Sequence, residues 1–213
     1  MNILIKLLLL QQRFSNVSLN VVFEDKNFHF VTNNLSLSLK ILPEDFIFNN
    51  KGNVRLDNLK ILPKGIKFDN KGNASLYSLE TLPKGVEFNN EGYVDLESLT
   101  TLPKGFKFNN KGFVYLNSLR TLPEGIEFNN KGGVYLHNLK TLPESVKFNN
   151  EGDVDLESLT TLPKGIKFNN EGYVDLSNLK TLPKGIKLNN KGDVYLRNKI
   201  LTHKNESNGK KEE

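Results

Sequence analysis

From Ile41 to Ile200 the chain is one 20-residue phrase written eight times without insertion or deletion. A strict period of that length leaves few architectures open. Each unit is too short to enclose a core, so consecutive units must stack and bury their apolar residues against one another. In register the phrase is x-Leu-Pro-x-Gly-apolar-x-Phe-Asn-Asn-x-Gly-x-Val-x-Leu-x-x-Leu-x. Leu fills the second place of every copy and Pro the third, from Pro43 to Pro183; those eight are all the prolines of this 213-residue protein.

Two stretches of the phrase alternate as strands do: apolar-x-Phe, as in Ile66-Lys67-Phe68, and Val-x-Leu, as in Val94-Asp95-Leu96. Alternation places the apolar residues inside and the middle residue outside. Asn-Asn-x-Gly between them, as in Asn89-Asn90-Glu91-Gly92, signals a turn, since Asn and Gly tolerate positive φ and Asn bonds its own backbone. The remaining segment carries an inward Leu at every third residue (Leu96, Leu99, Leu102), which suits an extended or 3₁₀ corner. Equivalent inward places then align: seven Phe and Leu188 in one column, eight Leu in another. The pattern predicts an all-β parallel β-solenoid of eight coils with two narrow sheets. With rungs about 4.8 Å apart the rod would be roughly 40 Å long. The unbroken column from Asn50 to Asn190 is expected to serve the fold, its stacked amides bonding one another and the turn backbone.

The coil of about 20 residues, the regularly placed Leu, the Leu-Pro step and the Asn turn resemble the short leucine-rich repeats of bacterial and phage proteins. The resemblance covers 41–200 and implies a binding scaffold. That family's core follows Leu-x-Leu-x-x-Asn, whereas here Asn falls one residue early after Ile-x-Phe. Two shapes therefore stay open, a curved horseshoe and a straighter two-sheet rod.

Open parallel edges invite polymerisation, so terminal coils need cover. Residues 1–40 fit an N-terminal cap with a degenerate coil, built on Phe28-His29-Phe30 and Leu35-Ser36-Leu37-Ser38-Leu39. In the last coil Lys199 stands where an inward Leu belongs, and 201–213 has the composition of a disordered polar tail. The apolar run from Ile3 to Leu10 is interrupted by Lys6 and falls short of the about 20 residues that span a bilayer. No small-residue cleavage pattern follows it, so a cap is preferred to a signal peptide and a cytoplasmic location is expected. The chain has no cysteine, which excludes disulfides, thiolate metal sites and a cysteine nucleophile.

With the interior uniform, information must sit in the outward places. Those of the Val-x-Leu strand and its flanks hold eight acids, Arg55 and Arg197, and no Lys within the eight coils. The other four charge-bearing places hold nineteen Lys or Arg and nine Glu. A net charge of +5 thus hides a rod with an acidic, aromatic face and basic sides. Stacking should bring Tyr93 beside Phe113 and Tyr115 beside Tyr135, and with His137 these form one aromatic patch on coils three to five. Asp153, Asp155 and Glu157 project from the next strand, Asp175 stacks on Asp155, and Asp95, Glu97 and Tyr173 extend the surface. Like charges this close disfavour the isolated fold and suit a cationic partner.

The preferred function is therefore a non-catalytic protein-binding or adaptor module that takes a basic partner on this face. A glycan-binding module on the same face is the alternative, and nucleic acid on the basic sides comes third. A calcium site on Asp153, Asp155, Glu157 and Asp175 is disfavoured because calcium wants six to eight converging oxygens, and no cofactor is expected. A lone patch histidine without a cleft gives no enzyme signature. The single Thr rank from Thr81 to Thr181 lacks the double array of an ice-binding face, and self-association through the aromatic sheet remains an open outcome.

Overall fold

The computed structural model describes residues 44–197, Leu42 and 199–202, together with backbone strands between 21 and 36. Regular structure among the described residues is all strand, and no helix there is long and apolar enough to cross a membrane. One parallel sheet of eight strands collects the apolar-x-Phe segments, from Ile47–Phe48 to Lys187–Leu188. A second sheet of ten gathers the Val-x-Leu segments, from Val54–Arg55 to Val194–Leu196, with Leu35–Ser36 at one edge and Lys199–Leu201 at the other. Val114 pairs with Val94 and Val134, and Phe128 with Phe108 and Phe148, each one period away. The protein is a parallel β-solenoid of eight 20-residue coils.

The first seven coils bury their Leu, Phe and Val (once Ala74) places, whereas in the last Val194 is buried and Leu182, Leu188 and Leu196 are partly buried. The phenyl rings of Phe48, Phe68, Phe88, Phe108, Phe128, Phe148 and Phe168 stack as one file with centroids 4.9–6.1 Å apart. Six of the seven coil interfaces thus gain ring-on-ring dispersion contacts, and at the last Phe168 meets Leu188. The widest step, Phe88 to Phe108 at 6.1 Å, is where Phe106 turns its own ring edge-on to both. Phe106 occupies a place that most coils give to Ile or Val, and its bulk wedges the file open.

Of the two corner forms expected, the tighter one, with i to i+3 bonding, is present. The N–H of Leu99 donates to the Leu96 carbonyl at 3.0 Å, and the same bond recurs from Leu59 to Leu179. Such an i to i+3 bond closes a β-turn over the two residues between the leucines. The following Pro-x-Gly corner needs φ of 72–86° at Gly65, Gly85, Gly105, Gly125, Gly165 and Gly185, and Asp45 adopts φ 55° in the first coil. The glycine of Asn-Asn-x-Gly serves another purpose than the one expected of it. No positive φ occurs there. A Cβ on Gly112, Gly132 or Gly192 would instead lie 2.4–2.5 Å from the backbone of the preceding coil. Only a residue without a side chain lets the coils approach so closely.

The Asn column is likewise structural by a different route. Buried Asn130 donates through Nδ2 to the carbonyls of Gly132 (2.8 Å) and Gly133 (3.4 Å) in its own turn and of Gly112 (3.2 Å) in the coil before. The amides that bond one another belong to the neighbouring exposed column, where Asn189, Asn169, Asn149 and Asn129 each donate to the residue 20 places earlier. Hydrogen-bonding the turn and stacking amides are thus divided between two adjacent columns.

At the N-terminal end Val21–Glu24 and Asn27–Phe30 form an antiparallel hairpin, and the second arm lies beside Ile47–Phe48. Leu35–Ser36 adds a parallel rung against Val54–Arg55, 19 residues on instead of 20 (54 minus 35). At the other end Lys199–Leu201 turns back antiparallel on Val194–Leu196, so the ten-stranded sheet ends on a reversed strand. The apolar run 3–10 and the tail from residue 203 lie outside the described residues.

The two Asn columns should respond very differently to substitution. Asn130→Ala strips a buried donor from three carbonyls and is expected to cost about 2 kcal/mol or more, whereas exposed Asn129→Ala should cost less than about 0.5 kcal/mol. Urea unfolding of both variants measures the contrast; equal costs would contradict the assignment.

Candidate functional site

Because each Val-x-Leu strand points its middle residue outward, one column runs along the ten-stranded sheet as Asp95, Tyr115, Tyr135, Asp155, Asp175 and Tyr195, in register at every step. Two aromatic residues are therefore bracketed by carboxylates. The rings of Tyr115 and Tyr135 stack with centroids 5.1 Å apart and planes 8° from parallel. Phe113 leans on both, at 6.3 Å and 6.0 Å.

Tyr93 lies one rung from Phe113 in the backbone, where the Val94 N–H bonds the Phe113 carbonyl. Its ring, however, packs edge-on to Tyr115 at 5.8 Å. Side chains just before the strand slant onto the central column of the next coil. Tyr173 does the same with Tyr195, at 5.6 Å and edge-on. Tyr195 thus joins the surface, although it is absent from the set predicted from sequence. Phe113 has room to lean because the next coil carries Gly133, whose missing Cβ would lie 3.3 Å from the Phe113 ring.

The acids are held by short local bonds. Asp95, Asp155 and Asp175 each accept the N–H two residues on, from Glu97 (3.2 Å), Glu157 (3.0 Å) and Ser177 (2.9 Å). Asp153 accepts the Tyr173 N–H at 3.0 Å. Glu97 receives the Asn117 amide at 2.9 Å, and the Asn117 Oδ1 in turn accepts the His137 N–H at 3.2 Å. Asn117 is a linking residue that the sequence reading did not single out; its place one rung from both Glu97 and His137 was the available signal.

The imidazole of His137 sits between two carboxylates, with Nδ1 3.4 Å from Asp155 and Nε2 3.0 Å from Glu157. Ligand atoms of these three residues lie within 4.8 Å of one another, the one such group among the described residues. The calcium quartet is therefore not assembled: Asp153 and Asp175 stay outside it, each with an oxygen engaged by a backbone N–H.

Charge is distributed by rung. On the other sides Lys faces Glu one coil away, as in Lys67–Glu87 (3.0 Å), Lys111–Glu91 (3.2 Å), Lys131–Glu151 (2.8 Å) and Lys191–Glu171 (2.6 Å). Among the described residues every Lys–Glu pair lies off the aromatic face, and none of the face's carboxylates is ion-paired to Lys or Arg. Burial pushes the Asp95 carboxyl above its ordinary range, against the bond from the Glu97 N–H, and nearby Asp57 adds to the rise. The phenols of Tyr115, Tyr135 and Tyr173 are pushed up too, first by burial and then by their phenolic and carboxylate neighbours. A separate shallow groove of about 400 Å³ lies off this sheet between the third and fourth coils, lined by Lys84, Lys104, Phe106 and Lys107.

No protein-family model matches this chain, and comparison with curated proteins and with solved structures finds no match either. The likeness to leucine-rich repeats rests on the repeated phrase alone.

The rung-wise pairing has a pH signature. Lys147 and Lys107, both hydrogen-bonded to Glu127, lower its carboxyl from 4.5 to about 2. A depressed carboxylate stabilises the fold fully above its unfolded pKa and loses that contribution as pH falls toward the folded value. NMR titration should place the Glu127 midpoint well below that of a free Glu. Glu127→Gln should leave stability less pH-dependent between about 4.5 and about 2; an ordinary midpoint would contradict the double pairing.

Proposed function

We propose that this chain is a non-catalytic protein-binding module that captures a basic partner on the outer face of its ten-stranded sheet. One observation carries the reading. Six carboxylates elsewhere on the solenoid, Glu80, Glu87, Glu91, Glu127, Glu151 and Glu171, pair with lysines one coil away, whereas those around Tyr115 and Tyr135 have no lysine or arginine partner among the described residues. A partly buried cluster of Tyr and Phe at the centre supplies the anchors typical of interfaces, with low entropic cost on binding. The surrounding acids would steer a cationic surface and fix its register. The resemblance to leucine-rich repeats points the same way.

Two observations weigh against the other readings. The stacked rings of Tyr115 and Tyr135 cover one another's faces, which leaves mainly edges and hydroxyls for a sugar ring. The lysines of the basic sides are diluted by glutamates one rung away, a poor match to a phosphate backbone.

The test is partner capture from the native host with wild type and Tyr115→Ser/Tyr135→Ser, the fold checked by circular dichroism and the oligomeric state by sedimentation. Affinity for the captured protein should fall at least about tenfold in the double variant, as for loss of central anchors. It should also weaken with salt. Unchanged capture would remove the patch as the interface. Strong hits on a glycan array would favour sugar, and sedimentation as a tyrosine-dependent oligomer would make the partner a second copy.

A further inference from the structure

We infer that His137, Asp155 and Glu157 form a site for one divalent transition-metal ion, with zinc the best match, at the border of the aromatic patch. Donor geometry is the first reason. The two His137 nitrogens stand 3.4 Å and 3.0 Å from the Asp155 and Glu157 oxygens, and one ligand atom from each residue lies within 4.8 Å of the others. The two carboxylates contact opposite nitrogens of the ring, and one ion takes only one of these, so the 4.8 Å limit is the relevant spacing. Donors bound about 2.1 Å from a tetrahedral zinc are about 3.4 Å apart, so side-chain rotation must draw the three together by up to about 1.4 Å to close the site.

The second reason is that the donors are held before any ion arrives. Rung pairing of Tyr135 with Asp155 fixes the two strands relative to one another. The Asn117 Oδ1 holds the His137 backbone N–H, and the Glu157 N–H holds Asp155 Oδ1, which leaves Oδ2 directed at the imidazole. Side-chain exposures of 48% for His137, 37% for Glu157 and 18% for Asp155 leave the donors reachable from solvent.

Charge and ligand type decide the class of ion. Asp175 pairs with Asp155 in the next rung, and no Lys or Arg ion pair offsets these acids among the described residues. A dication would relieve that repulsion. One imidazole with two carboxylates suits zinc, copper or nickel, whereas calcium needs more oxygens than converge here. Coordination places left open would face outward, available to water or to a donor from another molecule.

The site belongs to the chain alone and can be tested without a partner, so its failure would leave the proposed interface untouched. Zinc chloride is titrated calorimetrically into the full chain in a non-coordinating buffer, with calcium and magnesium chlorides in parallel. One zinc per chain is expected. Affinity should drop at least about tenfold in His137→Ala and in Asp155→Asn, and stay near wild type in Asp175→Asn. Cobalt should give d–d absorption bands that vanish in His137→Ala. Circular dichroism verifies that each variant folds. Absence of saturable binding would overturn the site and leave His137 as a polar neighbour of its two carboxylates. Equal binding in His137→Ala would also overturn it, placing the ion elsewhere, as would calcium binding as tightly as zinc.

Discussion

The buried amide in the tenth place of each phrase ties one coil to the coil before it. Its Nδ2 lies against two carbonyls of its own turn and one carbonyl a period away, as Asn90 does with Gly92, Tyr93 and Gly72. The contact forms only if the turns approach at backbone distance, and the side-chain-free glycine two places on permits that approach. Hydrogen bonds and sterics at one point thus set the spacing and register that the phenyl file and both sheets inherit. Strands of two or three residues would be marginal alone; here each is one rung of a ladder, and stability is a sum of similar interfaces.

That spacing turns sequence intervals into surface neighbours. Places 20 residues apart touch, so a Lys–Glu alternation down one column becomes a line of ion pairs, and a Tyr–Tyr repeat becomes a ring stack. Exposed ion pairs contribute little individually. Their consequence here is selective: they engage glutamates on the basic sides and leave the Val-x-Leu face with carboxylates unmatched by Lys or Arg around a packed aromatic centre. The interior is nearly invariant from coil to coil, and the outward places of one sheet carry the chain's individuality.

Much of this was legible in the sequence for a simple reason. Exact periodicity and strict alternation leave no freedom in which residues point inward, so the two sheets, the Phe file and the pairing of Tyr115 with Tyr135 follow by counting. The role of each glycine did not follow, because glycine in a turn can answer either to φ or to space. A signal was present nonetheless. The fifth place admits Asp45 and Ser145, while the twelfth admits no exception, as a close backbone approach requires. The diagonal contacts of Tyr93 and Tyr173 depend on side-chain lean, which a register of Cα atoms leaves undetermined. The grip of Asp155 and Glu157 on His137 joins residues 18 and 20 apart, a relation that appears only once rung neighbours are compared across adjacent outward places.

The claim beneath all of this is that equivalent places lie on a continuous ladder with one rung per 20 residues. Since the chain has no cysteine, spin labels can be placed on introduced cysteines at exposed Lys71, Glu151 and Lys191. These share one column, four and six coils apart. Pulsed electron–electron resonance should give separations of about 19 Å for 71–151 and about 29 Å for 71–191, rising by about 4.8 Å per coil. Separations that fail to grow with coil number, or broad distributions without a maximum, would contradict the ladder.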